Sequence, residues 1–182
     1  MRHNLKNPKH QAGLTLVELL IGVGIILVII GGALALAPLV RADNQTAGLQ
    51  QQVAQIASQT QALGRGNYNG LTEAVLVQSG KVPAAWVNSA GTGINHADGS
   101  TVTVAAANVN GGTDNGALLT FTAVRKSSCV SVLTNAQANF AVIGTDVVAS
   151  AKAFGDPPMT SAEIVAACNS TGETVNLLLT VV

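Results

Sequence analysis

The chain has few charged and few aromatic residues for its length. Only 10 % of its 182 residues are Asp, Glu, Lys or Arg and 3 % are aromatic, whereas 48 % are hydrophobic. Chains that stay disordered are more polar and more highly charged than this. No basic stripe is present that could neutralise several phosphates. The composition therefore predicts one folded domain packed mainly with aliphatic side chains, and no binding of nucleic acid.

Cysteine and histidine are also scarce, which argues against a metal centre or a catalytic site. Cys129 and Cys168 have neither a CxxC partner nor a nearby histidine pair. In an exported protein they predict one disulfide, and the alternative is two free structural thiols. His96 is the one histidine beyond the first ten residues, and we expect it to be a solvated loop residue and not a base or ligand. We predict no enzymatic activity, no metal and no cofactor.

A few residues invite a functional interpretation that the sequence does not favour. The segment 110–116 is rich in oxygen donors, but it lacks the spaced acids and terminal glutamate of a calcium loop. The single tryptophan, Trp86, is expected to pack and not to bind sugar. Four aspartates lie among turn residues, where Asp makes local hydrogen bonds: Asp98, Asp114, Asp146 and Asp156.

The basic residues are unevenly distributed along the chain. Arg2, Lys6 and Lys9 lie in the first ten positions, whereas all nine acids lie from Glu18 onward. Removal of residues 1–13 would leave six bases against nine acids, a net charge of about −3 before the new amino terminus is counted. The early positive charge therefore indicates a membrane-orientation signal that keeps this end in the cytoplasm.

A long apolar run follows, from Leu14 to Val40. As a helix it would cover about 40 Å, enough to cross a hydrocarbon core of about 30 Å with some tilt. A secretory signal peptide has a shorter apolar region, and a plain single-pass anchor accounts for the length but not for Glu18. A carboxylate inside the run is costly unless it has a partner. Cleavage after Gly13 would give Leu14 a cationic amino group that can pair with Glu18 of a neighbouring subunit.

The segment GLTLVE at 13–18, between a short basic leader and a long apolar stretch, resembles the processing site of type IV prepilins. The resemblance implies that a prepilin peptidase cuts after Gly13 and N-methylates Leu14. It also implies a precursor that spans the inner membrane once. The pilus assembly machinery in that membrane would then polymerise the subunits into an extracellular pilus, which is a helical homopolymer. The leucine at the first mature position departs from the Phe or Met of many members.

The expected fold class is α+β, the type IV pilin fold, in which a long N-terminal helix packs on a head domain with an antiparallel-rich β-sheet. We expect a leader at 1–13, a helix at 14–64 and a head at 65–182. Within the helix, 14–40 would form the membrane segment and filament core, and 41–64 would pack on the head. Pro38 and the Gly31–Gly32 pair are expected to kink or loosen the helix.

Periodicity and turn residues predict the elements of the remaining chain. Leu49, Val53, Ile56 and Leu63 form one apolar stripe, and Gly64 and Gly66 end the helix. The predicted elements are a short helix at 71–79, a loop at 88–100, a hairpin of 101–109 with 117–125, a helix capped by Ser127 or Ser128 that carries Cys129, a strand at 140–148, a helix that begins with a capping box at Thr160 and carries Cys168, and a central strand at 174–182.

This head resembles the type IVb subgroup, which includes bundle-forming and conjugative thin-pilus pilins. The similarity is clearest at 76–83, 128–132 and 162–168, while the 13-residue leader is short for that subgroup. The implied roles are adhesion, aggregation or conjugation. Two alternatives remain open: a minor pilin or secretion pseudopilin, and a membrane-anchored binding module that never polymerises.

Overall fold

The computed structural model describes the backbone of residues 15–182 and the side chains of residues 15–30 and 43–182. The predicted leader, Gly13 and Leu14 lie outside the described residues. The chain divides into two compact units, with the boundary between Arg41 and Ala42. The described part of the first unit is helical from Leu16 onward, and the second unit combines helices with one β-sheet.

The first helix, α1, covers Leu16–Gly64. It ends where the backbone turns left-handed, since Arg65 has φ 47° and Gly66 has φ 88°. At Gly66 the left-handed backbone has no steric cost, because glycine has no Cβ. The predicted end of the helix at Gly64 is confirmed. The helix is assigned without interruption through Gly31, Gly32 and Pro38. The side chain of Pro38 lies outside the described set, and loosening of the helix in a filament stays a prediction.

The buried stripe of α1 in the second unit differs from the predicted one at its last position. Leu49, Val53 and Ile56 are at most 2 % exposed, as predicted, but Leu63 is 37 % exposed. Thr60 takes the fourth buried position instead, because a helical stripe advances by three or four residues. The prediction of Leu63 as the fourth buried position is therefore wrong, because burial follows the helical spacing and not the aliphatic character of the side chain.

The β-sheet has five strands, all antiparallel, in the spatial order β1-β2-β3-β5-β4. The strands are β1 Ile94–Asn95, β2 Thr101–Ala107, β3 Gly116–Arg125, β4 Val142–Thr145 and β5 Thr174–Val181. The β2–β3 hairpin and the inner position of β5 confirm two of the predictions. β1 lies inside the segment that we expected to be a loop, and β4 is shorter than the predicted strand because a turn returns from Thr145 to Val148.

Three short helices complete the second unit: α2 Glu73–Gln78, α3 Lys126–Ala136 and α4 Ser161–Ala167, together with a 3-10 turn at Ala84–Trp86. The predicted capping box of α4 is present, and the hydrogen bonds from Thr160 lower the pKa of Glu163. The predicted cap of α3 is wrong. Arg125 occupies the N-cap position without a side-chain cap, and Ser128 is buried inside the helix.

Candidate assembly site

The described part of the predicted prepilin motif forms the N-terminus of α1. Thr15 precedes the helix, and its Oγ1 accepts a hydrogen bond from the backbone N–H of Glu18 at 3.3 Å. Glu18 thus occupies the third helical position, where a carboxylate is favoured by the positive end of the helix dipole. This contribution was not predicted from the sequence, although an acid in the first turn of a helix is the signal for it. Glu18 has a stabilising role within its own chain, besides any role between subunits.

Residues 16–30, which we call the apolar segment, present their side chains to the surroundings all round the helix. Leu16 is 76 % exposed and Val28 is 75 % exposed. Within this segment Glu18 is the one ionisable residue. A helix that is apolar on every face needs an apolar environment, which either lipid or a bundle of other helices supplies. The segment is therefore suited to association with an apolar partner.

Two glycines make room for close helix packing in the apolar segment. A Cβ atom added at Gly22 or at Gly24 would have no described atom within 4 Å. Small residues at such positions let helix backbones approach each other closely where lipid supplies no hydrophobic driving force. Each of these two positions can receive another helix, on nearly opposite sides of α1, because residues two apart are separated by about 200° around a helix.

No helix within the described residues is both long enough and apolar enough to cross a membrane. The predicted membrane segment, 14–40, includes Leu14 and the side chains of 31–40, which lie outside the described set.

The second unit contains the predicted disulfide. Cys129 on α3 is bonded to Cys168 at the C-terminal end of α4, with a Cα–Cα distance of 5.9 Å and a sequence separation of 39. Both cysteines are at most 2 % exposed. The bridge joins two helices that pack on the sheet, and it is a structural and not a reactive pair.

Uncharged polar contacts connect α3 to the head-proximal part of α1. The hydroxyl groups of Thr46 and Ser128 lie 3.1 Å apart, and Gln50 Nε2 donates to Ser131 Oγ at 2.7 Å. Beyond these contacts the two helices leave an open groove of about 500 Å³. Its floor is apolar, with Val53, Val132 and Phe140, and its rim carries amide and hydroxyl groups without charge.

The prediction of a solvated His96 is wrong. The residue is 4 % exposed, its Nε2 lies 2.6 Å from the carbonyl oxygen of Thr122, and its ring is tilted against Phe121 at a centroid distance of 6.0 Å. Burial lowers the pKa of His96, and this effect outweighs the opposing effects of the Thr122 hydrogen bond and of Asp98. Thr122 lies 26 residues away in sequence and Phe121 precedes it, so the Gly- and Asn-rich residues around His96 gave no signal of the burial.

Asp98 also differs from its predicted role in a local turn. Its side chain is 1 % exposed and forms an ion pair with Arg125, whose Nε donates to Asp98 Oδ1 at 2.9 Å. Asp156 makes a local hydrogen bond as predicted, since it accepts from the backbone N–H of Ala153, whereas Asp146 accepts from the backbone N–H of Asn176, 30 residues away. Trp86 is half-buried and packs against the core, as expected. Within the described residues no group of three or more metal-ligating side chains is present, the segment 110–116 included.

A family model described as "PilS N terminal" matches residues 43–181, and a second, described as "Prokaryotic N-terminal methylation motif", matches residues 8–34. The chain belongs to the PilS family of type IV pilins. The methylation-motif match includes Gly13, Leu14 and Glu18 of this pilin. Its family and fold are those of structural subunits and not of enzymes.

Two solved structures share the fold of this pilin. TcpA, a type IV pilin from Vibrio cholerae El Tor biotype, is 15 % identical with a TM-score of 0.58, over 75 % of this chain and 98 % of that one. The type IVb pilin from Salmonella typhi is 18 % identical with a TM-score of 0.55, over 75 % of this chain and 97 % of that one. The α+β type IV pilin fold is thereby confirmed, and the likeness includes the type IVb subgroup. A comparison with curated proteins gives no match.

Proposed function

We propose that this pilin is the precursor of a pilus subunit that a prepilin peptidase cleaves after Gly13 and N-methylates at Leu14. Residues 14–40 hold the precursor in the inner membrane before assembly. The assembly machinery then moves the subunit into an extracellular homopolymer, whose surface head serves adhesion, aggregation or conjugation. The observation that carries the proposal is the apolar segment, which is exposed on all sides in the single chain and lies within the match to the methylation motif.

Assembly of this kind exchanges one apolar environment for another. The apolar segment leaves lipid and enters a bundle of like segments, so the transfer of hydrophobic surface contributes little net free energy in either direction. A contact between different surfaces of successive subunits does not close into a ring and gives an open helical fibre. Glu18 sets the register in this arrangement, because its carboxylate pairs with the amino group of Leu14 on a neighbouring subunit.

Intact-mass analysis of the subunit from sheared surface fibres tests the processing. The expected mass is that of a chain that starts at Leu14 and carries one added methyl group. A matched variant, Gly13→Val, places a branched side chain at the cleavage position and should stay uncut and absent from fibres. A fibre subunit that begins at Met1 would contradict the proposal.

The same fractions separate this function from its alternatives. A major subunit dominates the protein content of the sheared fibres, whereas a minor pilin or pseudopilin forms a small fraction of it. A membrane-anchored binding module that does not polymerise would stay in the membrane fraction, uncut and without the methyl group. The disulfide-bonded head favours the pilin, since its fold matches two pilins over nearly their whole length.

A further inference from the structure

His96 is held in one neutral tautomer by two hydrogen bonds. Its Nε2 lies 2.6 Å from the carbonyl oxygen of Thr122, which can only accept, so Nε2 carries the proton. Its Nδ1 lies 3.2 Å from the backbone nitrogen of Asp98, which donates to it. A second proton on Nδ1 would face the N–H of Asp98. The ring therefore cannot become charged without the loss of this contact.

The turn at residues 96–100 is closed by its own backbone. The His96 N–H donates to the Ser100 carbonyl at 2.8 Å, and the Gly99 N–H donates to the His96 carbonyl at 2.8 Å. The His96 ring adds the bond to the Asp98 N–H and ties the turn to β3 through Thr122.

The same turn is attached to two helices. The Ala97 N–H donates to Gln52 Oε1 of α1 at 2.7 Å. The Asp98 carboxylate accepts from the backbone N–H of Arg125, the N-cap residue of α3, at 3.2 Å. A change at the His96 ring therefore acts on the contact between this turn and α1, because Ala97, which makes that contact, directly follows His96 in sequence.

An open cleft of about 300 Å³ lies beside His96. Its lining comes from α1, from the 3-10 turn and from residues 95–97, and it includes Gln52 and Trp86. His96 is the one ionisable side chain among these lining residues, and Asp98, paired with Arg125, is the charged group that faces its ring. The cleft gives a protonated ring a path to water that requires no movement of the sheet.

We propose that His96 is an acid-sensitive latch, in which protonation of the ring releases the 96–100 turn from Gln52 of α1 and widens the cleft beside Trp86. The latch does not depend on the proposed role of the chain in a pilus. It predicts a head whose surface at this cleft differs between neutral and mildly acidic surroundings.

The direction of the pH dependence follows from the burial of the ring. Burial lowers the pKa of His96 below its ordinary value, so the unfolded or released state binds a proton more readily than the latched state. The contribution of the latch to stability is then fully present above about pH 6.5, the pKa of an unperturbed histidine, and is lost as the pH falls through the lowered pKa.

Amide hydrogen exchange of the full chain in detergent micelles tests the latch, with each rate divided by that of an unstructured chain at the same pH. Between about pH 7.5 and about pH 5 the protection of the Ala97 and Asp98 amides should fall by about tenfold or more. The Tyr68 amide, which donates to the Asp114 carbonyl at 2.8 Å, should keep its protection. In His96→Gln, which retains a donor for the Thr122 carbonyl but does not titrate, the pH-dependent loss should disappear.

A pH titration of the His96 ring resonance gives a second measurement that needs no His96 variant. A His3→Gln/His10→Gln chain leaves one histidine signal, and its midpoint should lie below about 6.5 and coincide with the loss of amide protection. A midpoint at or above that value would overturn the proposal. An equal loss of Ala97 and Asp98 protection in His96→Gln would overturn it as well.

Discussion

Thr60 and Thr145 have the same side chain and almost the same burial, with 0 % and 1 % exposure, but their hydroxyl groups have different surroundings. Thr145 Oγ1 donates to the Ala167 carbonyl at 2.7 Å and accepts from the backbone N–H of Val148 at 3.0 Å. Thr60 Oγ1 has no hydrogen-bond partner within the described residues. A buried hydroxyl group without a partner loses its bonds to water and gains none in return.

Replacement of each threonine by valine, which has nearly the same shape, should therefore change stability in opposite directions. We expect Thr60→Val to raise the free energy of unfolding by about 1 kcal/mol, and Thr145→Val to lower it by about 1–3 kcal/mol because the Val148 N–H and the Ala167 carbonyl lose their partner. Denaturant unfolding of the two variants and the parent measures both changes. Equal destabilisation by the two substitutions would show that the hydroxyl group of Thr60 is bonded.

Glu18 offers a second comparison at a single position, because two of its interactions depend on different parts of the residue. Its backbone N–H bonds Thr15 Oγ1 whatever the side chain is, whereas pairing with a neighbouring amino terminus depends on the charge of the side chain. We expect Glu18→Gln to be cleaved normally but to give few fibres, about as few as Glu18→Ala. The yield of sheared fibres, compared with the amount of cleaved subunit in the membrane, measures this. Normal fibre yield from Glu18→Gln would show that the charge is dispensable.

At the scale of elements, the disulfide is the covalent connection between α3 and α4. The two cysteines are 39 residues apart in sequence, and the closed segment contains most of α3, all of β4 and all of α4. A disulfide that closes a loop of this length lowers the conformational entropy of the unfolded chain. On a chain-entropy estimate this stabilises the folded state by about 4 kcal/mol. The bridge therefore fixes α4 to α3, which itself packs on β3 and β5 of the sheet.

We expect the Cys129→Ser/Cys168→Ser double variant to lose about 2–5 kcal/mol of unfolding free energy relative to the oxidised parent. Denaturant unfolding without reductant measures the loss. The reduced parent is the matched control, and its midpoint should approach that of the double variant. The same midpoint for the oxidised parent and the variant would rule out a stabilising role of the bridge.

The elements that sequence alone predicted are those with a local signal. The hairpin is marked by two β-branched runs around a Gly- and Asn-rich turn, the helix α4 by its capping box, and the inner strand β5 by its near-continuous apolar run. Each run, turn or cap is made of residues that are close together in sequence, which is the range over which propensity and periodicity act.

The residues that sequence reasoning placed wrongly depend on distant partners. His96 is buried through Thr122 and Phe121, Asp98 through Arg125, and Thr60 through the register of α1 against the rest of its unit. A Gly- and Asn-rich segment looks solvated when read by itself, and a threonine looks like a surface residue in a Gln-rich helix. The prepilin motif was readable because its signal, a carboxylate in an apolar run, is itself local.

At the scale of the whole molecule, the chain combines an apolar segment that is exposed on all sides with a second unit that has its own buried core. The second unit buries most of its large apolar side chains in its own core, whereas the apolar segment buries none of them within the chain. A protein with this distribution requires an external apolar partner for one part alone. Membrane anchoring followed by polymerisation supplies that partner at both stages, which is why we propose them together.

A high-resolution structure of the fibre, prepared from cells that produce this pilin, tests the central claim most directly. The account predicts subunits that begin at N-methylated Leu14, with the Glu18 carboxylate within about 4 Å of the amino group of a neighbouring subunit. A fibre in which Glu18 lies away from every neighbouring amino terminus, or whose subunits retain residues 1–13, would contradict it.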